Sequence, residues 1–354
     1  MRTRPPDLSD ADVVARVGGD WGIRVDGVTY SAVGFGSHHW EVVAGDERWF
    51  VTVDDLDARR RSLAEPRTTV LERLRAALMA AREIADHGLH FVIAPRRTHS
   101  GEVLVTINDR YVAAVYGFVN GTSHEWGDFK NVEDRLAVLD LIVQVHAVEQ
   151  TQAITDDLAV PMIDELLAAA EDLARPWDSG PYAEPARRAL AGSICGLQHQ
   201  LDRHPQLVRA ALARPERFVL THGEPHLGNT MSTPQGLVLV DWDTALLAPP
   251  ERDLWTIAGD DRSVLNAYMT ATGRTTFDDT VTCYRLTWDL TEIALYVALL
   301  RAEHDDTEDV RESWRNLQHY LHPFTASQAP LRSSSATSSS TPLAGDPIAD
   351  NSGP

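Results

Sequence analysis

The sequence predicts an α+β fold in which a small β-rich N-terminal lobe precedes a mostly helical C-terminal lobe. With 354 residues, the chain is long enough for about two lobes with substantial cores. Strand-like runs of β-branched and aromatic residues fill most of the first third, whereas apolar residues recur at helical spacing through most of the remainder. We therefore expect lobes over 1–118 and 119–330, followed by a disordered Ser-rich tail over 331–354.

The N-terminal lobe is predicted to be an antiparallel meander with two helices. Apolar residues at helical spacing from Leu8 to Trp21, with acids in the first turn, favour a short helix. A longer helix is predicted from Thr68 to His87, where Gly88 supplies a left-handed cap. Asn108-Asp109 indicates a two-residue hairpin between the last two strands. The predicted strands are 27–34, 40–44, 48–53, 101–107 and 110–116.

The C-terminal lobe is predicted to be helical with one β-like interruption. Two short apolar runs, 218–221 and 237–240, have the length of strands and bracket a polar loop over 221–235. We expect chemistry at this loop, because loops held by rigid elements carry functional sites. The predicted helices are 132–148, 161–173, 185–201, 205–213, 280–301 and 309–320.

The amino-acid composition indicates which classes of molecule the chain can bind. There are 32 Lys and Arg residues against 52 Asp and Glu, a net charge of −20, which opposes binding to nucleic acid or to anionic membranes. A cationic or amine-bearing small molecule is the expected partner. No apolar run approaches the roughly 18 residues that span a bilayer, and two distant cysteines give neither a disulfide framework nor a metal cluster. We expect a cytoplasmic monomer or homodimer.

One group of polar residues points to a reaction. The loop reads Thr221-His-Gly-Glu-Pro-His-Leu-Gly-Asn229, and Asp241 follows the next strand. Glu224 supplies a base, while the oxygens of Asn229 and Asp241 are hard ligands suited to Mg²⁺, which bridges substrate phosphates. This is the layout of a phosphoryl-transfer site. The alternative is that the histidines are hydrogen-bonded turn residues and that Asp241 caps a turn.

These motifs resemble those of the aminoglycoside phosphotransferase family, whose catalytic loop reads His-Gly-Asp-x-His-x-x-Asn and whose metal-binding Asp follows a strand. The resemblance covers about 8–330 and includes the downstream Pro-Glu-x-Asp-Leu stretch at 250–254. It implies a bilobal protein-kinase-like fold that uses ATP and Mg²⁺ to phosphorylate a hydroxyl group. Where the family has Asp, this chain has Glu224, whose carboxylate lies one methylene farther from the backbone. The residues that receive roles are the base Glu224, the loop-organising His222 and His226, and the metal ligands Asn229 and Asp241.

The resemblance also implies a nucleotide site in the N-terminal lobe. The strand that contains Thr52 aligns with the phosphate-binding strand of the family, so Thr52 stands where the family has a lysine. The only lysine of the chain, Lys130, lies beyond this lobe. An arginine close in sequence is expected to substitute, namely Arg48, Arg59 or Arg60, with Glu65 or Glu72 as its partner. The alternatives are that Gly34 and Gly36 belong to a plain hairpin loop and that Phe118 and Val119 belong to a plain linker. Glu65 and Glu72 would then lie on a solvated helix face. The implied nucleotide contacts are Gly34, Gly36, Ser37, Arg48, Thr52 and the backbone of Phe118 and Val119.

Acidic residues after the loop bear on the acceptor. Asp289 and Glu292 lie three apart beside Trp288 on a predicted helix, where they would attract an amine. Asp243 and Asp253 are also assigned to the substrate side. The resemblance implies a basic antibiotic, an aminoglycoside or a spectinomycin-like aminocyclitol, as acceptor and a role in resistance. The alternatives are a metabolic kinase for choline, homoserine, a thiosugar or a sugar, and a nucleotide-binding pseudokinase, which Thr52 and Glu224 motivate.

Overall fold

Five antiparallel strands form the N-terminal lobe of the computed structural model, which describes residues 3–5, 7–34, 36–125, 127, 129–149 and 153–325. Their order in the sheet is β1-β2-β3-β5-β4. The predicted turn at Gly45-Asp46 joins β2 to β3. The strands are β1 (Gly27–Ser31), β2 (His38–Ala44), β3 (Glu47–Asp55), β4 (Val105–Thr106) and β5 (Tyr111–Gly117).

The hairpin at β4 and β5 differs from its prediction. Strand β4 has two residues, because a turn in which the Thr98 amide donates to the Glu102 carbonyl at 2.7 Å precedes it. The predicted two-residue connection at Asn108-Asp109 is wrong, since four residues separate the strands. The Asn108 side chain closes this loop by accepting from the backbone N–H groups of Arg110 and Tyr111, both at 2.9 Å.

The two faces of this sheet have different neighbours. Helix α1 (Asp10–Trp21) begins at the predicted place, where Ser9 and Asp12 form a capping box. It packs on the face that carries Val51 and Val53. Helix α2 (Arg67–Asp86) packs against the opposite face of β5. Because side chains alternate along a strand, Thr52 and Asp54 of β3 lie on this second face.

Seven helices in the described residues make up most of the C-terminal lobe. Helix α5 is continuous although Pro205 lies inside it, where the sequence predicts two separate helices. The buried face of α5 packs along α8 on both sides of the proline, and this packing outweighs a cost of about 3 kcal/mol for an internal proline. The helices are α3 (Val132–His146), α4 (Ile163–Glu171), α5 (Ala183–Leu212), α6 (Glu251–Ala258), α7 (Arg262–Thr272), α8 (Asp278–Arg301) and α9 (Glu308–Leu321).

Short strands interrupt these helices: β7 and β9 match the two predicted runs, whereas β6, β8 and β10 were not predicted. Strands β7 and β10 pair with each other, and β6, β8 and β9 form a second small sheet. Their bounds are β6 (Thr122–Ser123), β7 (Val219–Thr221), β8 (Thr230–Thr233), β9 (Gly236–Leu239) and β10 (Leu246–Ala248). The sheets hold two loops, 222–229 and 240–245, between them. The two-lobed α+β architecture is therefore confirmed, whereas the predicted tail lies outside the described residues.

In the part of the chain that the structure describes, no helix is both long enough and apolar enough to cross a membrane.

Candidate active site

The hairpin of β8 and β9 brings the two proposed metal ligands together. Thr230 lies opposite Leu239, so the residues just before β8 and just after β9 are neighbours. The Val240 amide accordingly donates to the Asn229 carbonyl at 3.0 Å. The Asn229 side chain is buried, and its Nδ2 donates to the Glu224 carbonyl at 3.0 Å. This bond leaves the amide oxygen of Asn229 as the atom that can face a cation.

Asp241 is held in an unusual backbone conformation. Its φ of 67° lies in the left-handed region, which costs a non-glycine residue about 1–2 kcal/mol, although Asp tolerates it better than most. Desolvation by the surrounding protein raises the pKa of Asp241 well above its usual range, and the carboxylates of Asp243 and Glu224 raise it further. A divalent cation beside this carboxylate would relieve that repulsion. The donor set therefore fits Mg²⁺.

His222 connects the two loops. Its ring Nε2 lies 2.9 Å from the Val240 carbonyl, and its Nδ1 lies 3.2 Å from the Glu224 amide nitrogen. These partners require a neutral ring with the proton on Nε2, and burial lowers the pKa of His222 in agreement. The ring also contacts Trp242, with 4.5 Å between centroids. His222 thus fixes the backbone on both sides of the site, as its loop-organising role requires.

Asp253 holds the backbone of the loop 222–229 through hydrogen bonds. It is fully buried on α6, where it accepts from the amides of His222 at 2.9 Å and Gly223 at 2.6 Å. It also contacts Nε2 of His146 at 3.0 Å. Burial would raise the pKa of Asp253, but the bond from His146 lowers it below its usual range. The prediction that Asp253 contacts the substrate is wrong, because the protein interior encloses both oxygens.

Glu224 projects from this loop and is partly exposed. Its Oε2 lies 3.7 Å from Nε2 of His226, which is too long for a hydrogen bond. Its carboxylate raises the pKa of Asp241 on one side and that of Glu292 on the other. Glu224 is therefore near enough to interact electrostatically with both Asp241 and Glu292.

The acids of α8 face the same region. Burial raises the pKa of Glu292 to about 7 and that of Asp289 to about 6. Aromatic side chains accompany them, since the Trp288 indole donates to the Tyr320 hydroxyl at 3.0 Å and packs 5.7 Å from the Trp255 ring. Two partly buried carboxyls beside aromatic rings form a surface suited to an amine.

The N-terminal lobe contributes an arginine to the cleft. Nε of Arg59 donates to Asp54 at 2.8 Å, and its Nη2 donates to Ser37 Oγ at 2.9 Å and to Asp243 of the opposite lobe. Although burial would lower the pKa of Arg59, the carboxylates of Asp243 and Asp54 raise it above its ordinary value. An ion pair therefore joins the lobes directly beside Asp241.

The sequence profile described as "Phosphotransferase enzyme family" matches residues 30–296, a range that includes Arg59, the two loops 222–229 and 240–245, and the acids of α8. The chain belongs to this family. It is thus a phosphotransferase that acts on hydroxyl groups.

Individual relatives agree with the family assignment. Protein StrN of Streptomyces griseus is 30% identical over 250 residues, which are 67% of this chain and 74% of that protein. The structure of a spectinomycin phosphotransferase, APH(9)-Ia, in complex with ADP and spectinomycin superposes with a TM-score of 0.70 at 14% identity, covering 89% of this chain and 97% of that one. An aminoglycoside phosphotransferase from Alicyclobacillus acidocaldarius gives 0.52 at 14% identity, with 92% and 96% covered. At these identities the two structures share the fold.

The geometry corrects the Arg48 contact that the resemblance implied, and it occupies the amide of Phe118 and the hydroxyl proton of Ser37, whose other nucleotide contacts stay predictions. Arg48 does not reach the phosphate end of β3, because its carbonyl accepts from the Phe118 amide at the lobe junction and its guanidinium pairs with Glu41. The Phe118 amide is therefore engaged, and the Arg48 guanidinium covers its ring at 3.6 Å. The Ser37 hydroxyl proton, expected to face phosphate, is donated to Asp54 at 2.7 Å.

Other predicted residues occupy compatible places. Gly34 and Gly36 have φ of 69° and 98°, which favour glycine in the loop before β2. Thr52 lies in the middle of β3, paired with Ala114 of β5. Val119 follows β5 in the partly buried junction between the lobes. These positions leave their nucleotide contacts as predictions.

The structure shows which partners Asp243 and Glu65 have. Asp243 pairs with Arg59 through Oδ2, and its assignment to the substrate side stays a prediction. Glu65 pairs with Arg73, which also donates to the Arg59 carbonyl at 2.8 Å. Glu65 therefore supports Arg59 through the backbone instead of pairing with its charge.

Sequence reasoning missed two supporting residues, Asp54 and His146. An acid at the buried end of an apolar strand is the signal that could have revealed Asp54. His146 closes a helix remote in sequence from Asp253, and their contact follows from the tertiary fold. Among the described residues, no three His, Cys, Asp or Glu side chains form a metal site by themselves. Mg²⁺ commonly takes one or two protein ligands and completes its shell with waters and phosphates.

Proposed function

We propose that this phosphotransferase moves the γ-phosphoryl group of ATP, with Mg²⁺, to a hydroxyl of an amine-bearing antibiotic of the spectinomycin or aminoglycoside type, and so confers resistance. One observation carries the proposal: Glu224 accepts from Asn229 through its backbone carbonyl, and its carboxylate interacts with both Asp241 and Glu292 of α8. A base close to both a phosphate-binding side and an amine-binding side is what such an acceptor requires.

The position of each residue in the site indicates its role in the reaction. Asn229 and Asp241 would hold the cation, which supplies charge neutralisation at the phosphate oxygens. Glu224 would accept the hydroxyl proton of the acceptor, and the carboxylate keeps this ability with one more methylene than Asp. His222 keeps the Glu224 amide and the Val240 carbonyl at a fixed separation. The loop-organising role of His226 stays a prediction, since its Nε2 lies 3.7 Å from Glu224 Oε2.

The acidic residues of α8 indicate which class of acceptor the enzyme binds. Glu292 and Asp289 are buried enough for their pKa values to lie at about 7 and about 6, so they carry charge above neutral pH and would pair with a protonated amine. A neutral sugar can donate hydrogen bonds to these groups but offers no positive charge to pair with them. The chain's net charge of −20 favours the approach of a cation as well. The spectinomycin phosphotransferase fold supports an aminocyclitol as the first acceptor to try.

The direct test is phosphorylation of an acceptor panel. The protein is incubated with ATP and Mg²⁺ and with spectinomycin, an aminoglycoside, choline, homoserine, a thiosugar or a simple sugar, and product is detected by ³¹P NMR. We expect phosphorylation of an amine-bearing antibiotic, and Glu224→Gln should lower kcat by about 10²–10⁴-fold while ATP still binds. Preferred turnover of choline, homoserine or a sugar would replace the antibiotic with a metabolic acceptor. ATP binding without any product would favour a pseudokinase.

A further inference from the structure

The loop between β3 and α2 places one arginine among acidic side chains of both lobes. Nε and Nη2 of Arg59 are held by Asp54, Ser37 and Asp243. The carboxylate of Asp241 lies close enough to interact with the same guanidinium. Three carboxylates thus surround one cation at the place where the lobes meet.

One edge of this guanidinium remains available. Arginine has five N–H donors, and the contacts above use Nε and Nη2. In the described part of the chain, no residue accepts from Nη1 of Arg59, whose side chain is 20% exposed. The two N–H groups of Nη1 are therefore free to bind an anion while the rest of the side chain stays fixed.

The backbone of this loop is fixed as firmly as the side chain. The Arg59 carbonyl accepts from Arg73 at 2.8 Å, and its amide donates to the Asp55 carbonyl at 3.2 Å. Two residues later, the Arg61 carbonyl accepts from the Met162 amide of the C-terminal lobe at 2.7 Å. The loop is thus bound to both lobes, which sets Arg59 apart from a mobile surface arginine.

Because Thr52 is uncharged, another residue must supply the positive charge that binds nucleotide phosphates in this cleft. Thr52 lies on the same face of β3 as Asp54, two residues away, and it carries no charge. A triphosphate brought to this cleft would meet the carboxylates of Asp54, Asp241 and Asp243. A preorganised guanidinium offsets part of that repulsion and binds phosphate oxygens with charge-assisted hydrogen bonds.

We propose that Arg59 binds the phosphates of the nucleotide through Nη1 and replaces the cation that Thr52 lacks. The proposal rests on the proposed use of ATP, and it assigns a specific side chain of the β3–α2 loop to the phosphates. It also gives Asp243 a purpose, since this carboxylate holds Arg59 in place from the opposite lobe.

The test compares ATP with adenosine, which lacks the phosphates. Binding of each is measured by calorimetry for the wild type, Arg59→Met and the matched control Arg60→Met. Arg60 neighbours Arg59 but pairs with Asp57 and donates to the Leu63 carbonyl, so it does not enter the cleft. We expect Arg59→Met to raise the Kd for ATP by about tenfold or more, with adenosine binding unchanged. Arg60→Met should bind both like the wild type.

Two outcomes would overturn the proposal: ATP affinity unchanged in Arg59→Met, or equal losses for ATP and adenosine, which would show a structural role. A second variant, Arg59→Met with Thr52→Lys, should recover ATP affinity, because a lysine on that face of β3 restores the charge. A folded double variant with no recovery would contradict the proposal. If the wild type binds ATP but phosphorylates no acceptor, the proposed function fails while the assignment of Arg59 stands or falls on the binding data.

Discussion

At the scale of single residues, the site depends on carboxyl groups whose surroundings differ. Asp253 is buried but receives three hydrogen bonds, whereas Glu292 is buried with few compensating charges. The sequence predicts Glu224, Asn229 and Asp241 because their spacing around a strand is local. It assigns Asp253 wrongly, because an acid that binds substrate and an acid that anchors a loop look alike in a sequence.

The raised pKa of Glu292 gives a prediction for the pH dependence of acceptor binding. Below a pKa of about 7 this carboxyl is protonated and attracts an amine weakly, and above it the carboxylate attracts the cation. We expect the KM of an amine-bearing acceptor to fall by about 3–10-fold from about pH 6 to about pH 8. Steady-state kinetics over this range would measure it.

Glu292→Gln should flatten most of this profile, because the amide does not titrate; the slope that remains near pH 6 belongs to Asp289, whose pKa is about 6. The exposed Glu303→Gln serves as the control and should keep the wild-type profile. A wild-type KM that does not change with pH would remove Glu292 from amine binding.

At the scale of elements, α6 supports the catalytic loop. It was not predicted, because its buried acids, Glu251 and Asp253, break the apolar periodicity that reveals a helix. The interruption by strands was predicted, since β-branched runs with turn residues are local signals. The continuity of α5 through Pro205 was missed, because packing against α8 is a tertiary effect that local preference does not contain.

Replacing the acid of α6 should loosen the loop. Asp253→Asn puts an NH₂ group opposite backbone N–H donors, so we expect a loss of about 2–4 kcal/mol in the free energy of unfolding. Phosphoryl transfer should fall with it, since one of the two backbone amides, that of His222 or that of Gly223, loses its acceptor. Urea denaturation and product formation at low temperature would measure both.

Asp260→Asn is the matched control. Asp260 lies just beyond α6 and forms an exposed ion pair with Arg285, which contributes about 0–1 kcal/mol. Equal stability of the two variants would show that Asp253 does not anchor the loop.

At the scale of the whole molecule, the lobes meet through the loop between β3 and α2. Arg59 contacts Asp243, and the Arg61 guanidinium donates to Asp157. The two-lobed fold was predictable from composition and periodicity, but these contacts between lobes were not, because they join residues about a hundred or more positions apart. The boundaries of the lobes and the tail remain predictions.

The composition of 331–354 predicts that this segment is dispensable for folding. It is rich in Ser, Thr and Pro and has too few apolar residues to form a core. A chain ending at residue 330 should unfold within about 1 °C of the full chain and phosphorylate the same acceptor at the same rate. Calorimetry and kinetics would measure this, and a clear loss of either property would assign the segment a structural role.

The central claim is that Asn229 and Asp241 hold the divalent cation that the phosphotransferase needs. Its most direct test is calorimetric titration of ATP into the wild type and Asp241→Asn, with and without Mg²⁺. We predict that Mg²⁺ tightens ATP binding to the wild type and has no such effect on the variant, whose phosphoryl transfer should fall by about 100-fold or more. Mg²⁺-dependent ATP binding and full turnover in Asp241→Asn would contradict the claim.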